Sequence, residues 1–393
     1  RITIQVPWEP LLPGPAGAKI AVVDYDAGND CYYPPVDLEH PLLLARQGLD
    51  PTESDPRFHQ QMVYAVASRT IEMFESALGR DIRWRRHERG VDPASPAATW
   101  HKTGDIEVLH LYPHAMHEAN AYYSPDAHGI VFGYFCADAT NPGRNLPDQR
   151  IFTCLSPDII AHEMTHAIID GIRTYFTEPT NPDVLAFHEA FADLCALFAH
   201  FSLKETLVDA IRRTGGRLHN ADLAAPSAAV AVTSPADALI GAELRPVNPL
   251  IQLAVQFGQA RGGQAGLRSA IGVRPTPEAI NTRIDDAHFR GSILVSAVFD
   301  AYFSVYLRRA EGLFEIYLAG GGERTDDLPV AMAERLAAIA SDTATFFFQL
   351  CARALDYCPP VDITFGDFLR ALITVARDVR PDDEGGVRDS LME

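Results

Sequence analysis

Two histidines and a glutamate, His162, Glu163 and His166, stand inside the apolar run "IAHEMTHAIIDG" at positions 160–171. On a helix, residues four apart lie one turn above each other with Cβ atoms about 5–6 Å apart, so both imidazoles can converge on one ion. Glu163 is rotated by about 100° from His162, which lets it flank that ion without binding it. The spacing is H-E-x-x-H, whose chemical reading is two zinc ligands and a general base. A solvated polar stripe would need a polar helix face. The stretch "IIAHEMTHAII" is apolar on nearly all sides, and three buried polar groups without a partner would be costly.

A catalytic zinc takes three protein ligands and keeps one open position, so a further Glu, Asp or His is expected downstream. The continuation to H-E-x-x-H-x-x-G-x-x-H is absent. Instead "NPDVLAFHEAFADLCALF" places Glu189 and Asp193 four apart, on one face of a second apolar stretch. Glu189 is the candidate third ligand. Asp193, one turn later, is placed to accept the remaining N–H of a ligand imidazole and fix its tautomer.

The elements that must position these residues can be read from periodicity. "SPDIIAHEMTHAIIDGI" reads as a helix with Ser156 as N-cap, Pro157 at its first position and Asp158 in its first turn. Before it, residues 1–155 mix strand-like runs ("KIAVVDYD", "DIEVLHLY", "GIVFGYF") with one long helix, "DPRFHQQMVYAVASRTIEMFESAL". After it, residues 156–393 are mainly helical, with "IQLAVQFGQA", "SILVSAVFDAYFSVYL" and "AMAERLAAIASDTATFFFQLCARAL" at helical spacing. The expectation is an α+β chain with a β-rich N-terminal lobe and an α-helical C-terminal lobe. The Ala/Pro/Ser/Gly-rich segment from about Gly215 to Pro246 reads as a surface excursion. In "HLYPHAMHEANAYY", His110, His114 and His117 raise a second metal site, but Pro113 disfavours a regular helix and a loop at the cleft rim is expected.

"HEMTH" followed by "HEAFAD" resembles the thermolysin-like gluzincins, in which H-E-x-x-H is followed by E-A-x-x-D on the next helix. The likeness runs over roughly residues 55 to 380. "NAYY" resembles that family's edge-strand motif, which implies that Asn120 and the Ala121 backbone hold an extended peptide. "HFRGSILVSAVFDAYF" resembles the helix start that carries an oxyanion-stabilising histidine, here His288, with Asp285 or Asp286 as its supporting acid at altered spacing. Tyr175 is the corresponding tyrosine, also at altered spacing, and His188 stands where the family usually has Asn. The acidic cluster that holds paired calcium ions in secreted thermolysins is sparse after Asp193, which gives structural calcium little support.

The resemblance implies the thermolysin-like two-lobe architecture with the zinc helix between the lobes. It also implies a zinc endopeptidase acting on a peptide or protein substrate, with His162, His166 and Glu189 on the metal and Glu163 as general base. Two alternatives stand beside it. One is a metal-binding interaction module without turnover, against which the intact Glu163 argues. The other is a gluzincin exopeptidase, for which the G-x-M-E-N stretch is missing.

The remaining composition narrows the partners. The 393-residue chain carries 52 acidic against 33 basic residues, a formal net charge of -19, which opposes phosphate backbones and anionic membrane surfaces. No apolar run approaches the roughly 18 residues of a transmembrane span, and "RITIQVPWEP" lacks the regions of a signal peptide. The chain starts at Arg1, which leaves an upstream segment open. Six scattered cysteines without C-x-x-C read as buried thiols and favour a reducing, cytoplasmic setting.

Overall fold

The protein was analysed as a computed structural model that describes residues 2–85, 108–140, 142, 145–213, 215–216, 285–322, 328–383 and 385–393. Nearly all of the expected surface excursion at 215–246, and the run "IQLAVQFGQA", lie outside the described residues.

The N-terminal part holds strands β1 (Ile20–Val22), β2 (Tyr25–Asp26) and β3 (Cys31–Tyr32), then helices α1 (Pro41–Arg46) and α2 (Pro56–Leu78). Strands β4 (Leu109–Met116), β5 (Ala121–Ser124), β6 (Gly129–Cys136) and β7 (Arg150–Phe152) follow. Helices then take over: α3 (Pro157–Ile172), α4 (Pro182–Phe201), α5 (Lys204–Arg213), α6 (Ala287–Ala319), α7 (Val330–Ala354), α8 (Phe365–Val379) and α9 (Val387–Met392). The fold is thus mixed, with a sheet in the N-terminal half and helices in the C-terminal half.

The main sheet runs in the order β1-β4-β6-β5. β1, β4 and β6 are parallel neighbours, whereas β5 and β7 pair antiparallel with β6, along its first and second halves respectively. The histidine-rich run forms strand β4 rather than a rim loop. Its burial alternates, with Leu109 and Leu111 fully inside. Pro113 sits where the pairing with β6 slips between Tyr112 and Met116, so its missing N–H breaks no regular ladder bond.

Gly133 explains how β5 can begin where it does. A Cβ there would lie 2.2 Å from the Glu118 carbonyl oxygen, and its N–H donates to the Asn120 carbonyl at 2.9 Å.

The helical half is built around α4. Asn181 caps it by accepting the Asp183 N–H at 2.7 Å, and Pro182 starts it. Among the described residues α4 is long and apolar enough to cross a membrane, but it is mostly buried within the protein, as a core helix is. α6 crosses it closely at Gly291, where a Cβ would meet the Ala186 carbonyl oxygen at 2.8 Å.

Ser156 occupies the N-cap position of α3, yet its side chain makes no capping bond. Its backbone does the work instead, accepting from Ile160 N and donating to Thr153 O, both at 3.1 Å.

One continuous apolar cluster joins the halves, from Ile20 and Phe132 on the sheet through Phe74, Ile168 and Phe191 to Phe299, Phe347 and Phe368. All six cysteines are unpaired. Cys154, Cys195, Cys351 and Cys358 are buried as expected, whereas Cys31 is half-buried and Cys136 exposed.

Candidate metal centre

α3 and α4 pack side by side, and their facing residues make the site. One ligand atom each from His162, His166 and Glu189 falls within a sphere of mutual distances no greater than 4.8 Å. His162 Nε2 lies 2.9 Å from His166 Nε2 and 3.5 Å from Glu189 Oε2, and His166 Nε2 lies 3.8 Å from the same oxygen. Two ring nitrogens and one carboxylate oxygen therefore face one point, the donor set of a catalytic zinc site.

The tautomers suit a cation. His162 Nδ1 lies 2.9 Å from Asp193 Oδ1, so its proton sits on that side and Nε2 turns a lone pair toward Glu189 once a cation takes the place of any proton there. On the other ring, His166 Nδ1 lies 2.6 Å from His188 Nδ1, and the two rings stack with centroids 4.7 Å apart. Burial and the neighbouring rings of His162 and His188 hold His166 well below the usual imidazole range, which keeps it neutral. Burial opposes charge on His162 as well, but bonds to Asp193 and Glu189 outweigh it and raise its pKa well above normal. Without metal, a proton shared on His162 stands where the ion would.

Glu163 is 7% exposed and accepts the Tyr123 backbone N–H at Oε2 over 2.9 Å. Burial pushes its carboxyl up to about 7, helped by the nearby Glu189 charge and opposed by His162. Tyr123 is further fixed by its hydroxyl, which donates to Asp170 at 2.9 Å, and Asp170 pairs with Arg85.

No family model, curated protein or solved structure matches the chain.

The other expected residues divide. His288, near the start of α6, places Nδ1 3.3 Å from Glu189 Oε2 and joins the centre. Burial would raise the Glu189 carboxyl, but hydrogen bonds from His162 and His288 overcome it and hold Glu189 well below the carboxylate range. The same bond raises His288.

Asp286 caps α6, its Oδ1 accepting the Phe289 N–H at 2.9 Å, and Asp285 is exposed one residue earlier. A partner of His288 is Glu189 itself.

No side-chain hydrogen bond ties Tyr175 to His162, His166 or Glu189. α3 continues to Ile172, about 9 Å of helix past His166, and Tyr175 lies in the turn beyond it, 59% exposed.

Asn120 opens β5. Its Oδ1 accepts the Ala121 N–H at 3.0 Å, and its carbonyl faces β6. The Ala121 and Tyr123 N–H groups thus point away from the sheet, one covered by Asn120 and the other by Glu163.

Sequence reasoning missed two contributors. His188 stood out only as a departure, although its place directly before Glu189 puts it beside the ligand ring. Tyr123 contributes through its backbone, which no side-chain pattern reveals.

Proposed function

We propose that the chain is a zinc-dependent endopeptidase of thermolysin-like architecture, its cleft lying between a β-rich N-terminal lobe and a helical C-terminal lobe. The observation that carries this reading is Glu163. It is buried, follows a ligand histidine, and is bonded to the outward N–H of edge strand β5.

His162, His166 and Glu189 would hold the ion. Bound zinc supplies Lewis acidity that activates water and polarises a carbonyl. Glu163 takes the proton from the attacking water and hands it to the departing amine. The edge of β5, from Asn120 through Tyr123, holds the substrate as an added extended strand. His288 keeps Nδ1–H on Glu189 and, when doubly protonated, presents Nε2–H to the charge developing on the carbonyl oxygen.

The test is hydrolysis of an unstructured protein and of an amino-terminally blocked peptide by the zinc-loaded chain. Internal cleavage that disappears in Glu163→Gln is expected. A zinc-loaded wild-type chain that cuts neither substrate would leave a metal-binding module, and cleavage only from free amino termini would make it an exopeptidase.

A further inference from the structure

A second group of ligand-type side chains is buried in the N-terminal half, away from α4. His59 on α2, His114 on β4 and Cys154 in the turn Thr153–Leu155 each bring one ligand atom within 4.8 Å of the others. Their exposures are 1%, 1% and 0%, so none of them meets solvent.

With both rings neutral and Asp24 ionised, the hydrogen bonds around the two rings do not close. His114 Nδ1 lies 2.6 Å from Asp24 Oδ1, and His59 Nε2 lies 3.2 Å from the Glu53 carbonyl oxygen. Both outer partners are pure acceptors, so each neutral imidazole must carry its one proton on its outer nitrogen. The inner nitrogens, His59 Nδ1 and His114 Nε2, then face each other as lone pairs 2.7 Å apart. That approach is repulsive unless something positive lies beside both.

An additional proton would serve by making one ring a buried imidazolium, with the Asp24 carboxylate as its counter-charge, and it would leave Cys154 without a role. A metal ion satisfies both lone pairs, and Cys154 supplies the third donor. We propose that His59 Nδ1, His114 Nε2 and Cys154 Sγ form a second, structural site for a zinc-class divalent cation.

The outer contacts are those that metal-bound histidines usually make, one to a carboxylate and one to a backbone carbonyl. Asp24 is itself fixed, since its second oxygen accepts from Gln60 Nε2 at 2.8 Å. Charge balances too: a divalent ion, the Cys154 thiolate and the Asp24 carboxylate sum to zero in a buried place. Binding breaks the S–H bond of Cys154, its electron pair goes to the metal, and the proton leaves to solvent. With no exposed approach, the ion enters during folding. It would tie α2, β4 and the turn immediately before Pro157 together, and so anchor the start of the helix that carries His162.

This site does not depend on the peptidase reading, because sulfur distinguishes it from the other centre. X-ray absorption at the zinc edge, on the wild-type chain prepared with zinc, should show a sulfur shell at about 2.3 Å and about two ions per chain. Replacing His162 and His166 by Ala should remove one ion and leave the sulfur shell, whereas Cys154→Ser should remove the shell.

The proposal is overturned by a wild-type spectrum without sulfur, or by a shell that survives Cys154→Ser. A proton bridging the two rings in the nuclear magnetic resonance spectrum of the zinc-prepared chain would overturn it equally. Should Cys154→Ser fail to fold, the wild-type spectrum still decides.

Discussion

Glu163 Oε2 accepts the backbone N–H of Tyr123 at 2.9 Å, so the proposed general base and the edge of the sheet are joined by one bond. A peptide added along β5 would therefore run past Glu163. In thermodynamic terms the bond also opposes the burial that raises this carboxyl, since it favours the charged form.

Glu163→Gln keeps the shape of the side chain but cannot carry a proton between water and amine. Peptide hydrolysis should fall by at least about 10²-fold, with zinc content unchanged. Assay of both on the same preparation checks it, and loss of the ion would mean that Glu163 is a ligand.

The two carboxylates of α4 should differ in degree. Glu189→Ala removes a ligand and should strip zinc and activity together. Asp193→Ala leaves three ligands but frees the His162 ring, so affinity or activity should drop by only about 10–100-fold. Competition with a chelator gives both affinities, and a reversed order would exchange the roles.

His288→Ala should lower kcat by about 10²–10³ while leaving KM within a few fold, as expected for a group that meets charge present only in the transition state. Because His288 also bonds Glu189, zinc affinity must be measured in parallel. A loss under tenfold in kcat would remove His288 from the oxyanion role.

Metal-free protein should show Glu163 titrating near 7, because burial favours its neutral form. The sign follows from linkage: the folded state binds this proton more tightly than the unfolded chain, so this group's contribution to stability falls as pH rises from about 4.5 to about 7. Infrared difference spectra against Glu163→Gln would report the protonated carboxyl. Zinc should abolish that band at pH 7 by stabilising the carboxylate.

Gly291→Ala tests the close crossing of α4 and α6. The added methyl group would meet the Ala186 carbonyl oxygen at 2.8 Å, so stability should fall by about 1–3 kcal/mol. Denaturant unfolding measures this. An unchanged midpoint would mean that the helices can separate at no cost.

The periodic parts of the fold were legible. α2, α3, α6 and α7 lie where their apolar spacing placed them, because amphipathic runs of that length have few other ways to bury one face. β4 was not legible around Pro113, since a proline that breaks a helix can also stand at a strand irregularity, and only pairing with β6 decides between them.

At the site, the trio His162, His166 and Glu189 could be derived from spacing within two helices. Groups that meet across elements could not. The bond between His288 and Glu189 depends on how α6 crosses α4, and the meeting of His59, His114 and Cys154 depends on how three segments far apart in the chain fold onto one another. Asp286 shows how one acidic residue near His288 also takes the part of a helix cap.

Among the described helices, α4 is both the most enclosed and the bearer of Glu189 and Asp193. The proposed ion would therefore take its carboxylate from a core helix and not from a loop. Heating should accordingly give one transition, in which ion release and loss of tertiary structure coincide. The same enclosure leaves little room for drift, since a substitution that loosens α4 would loosen the metal in the same stroke.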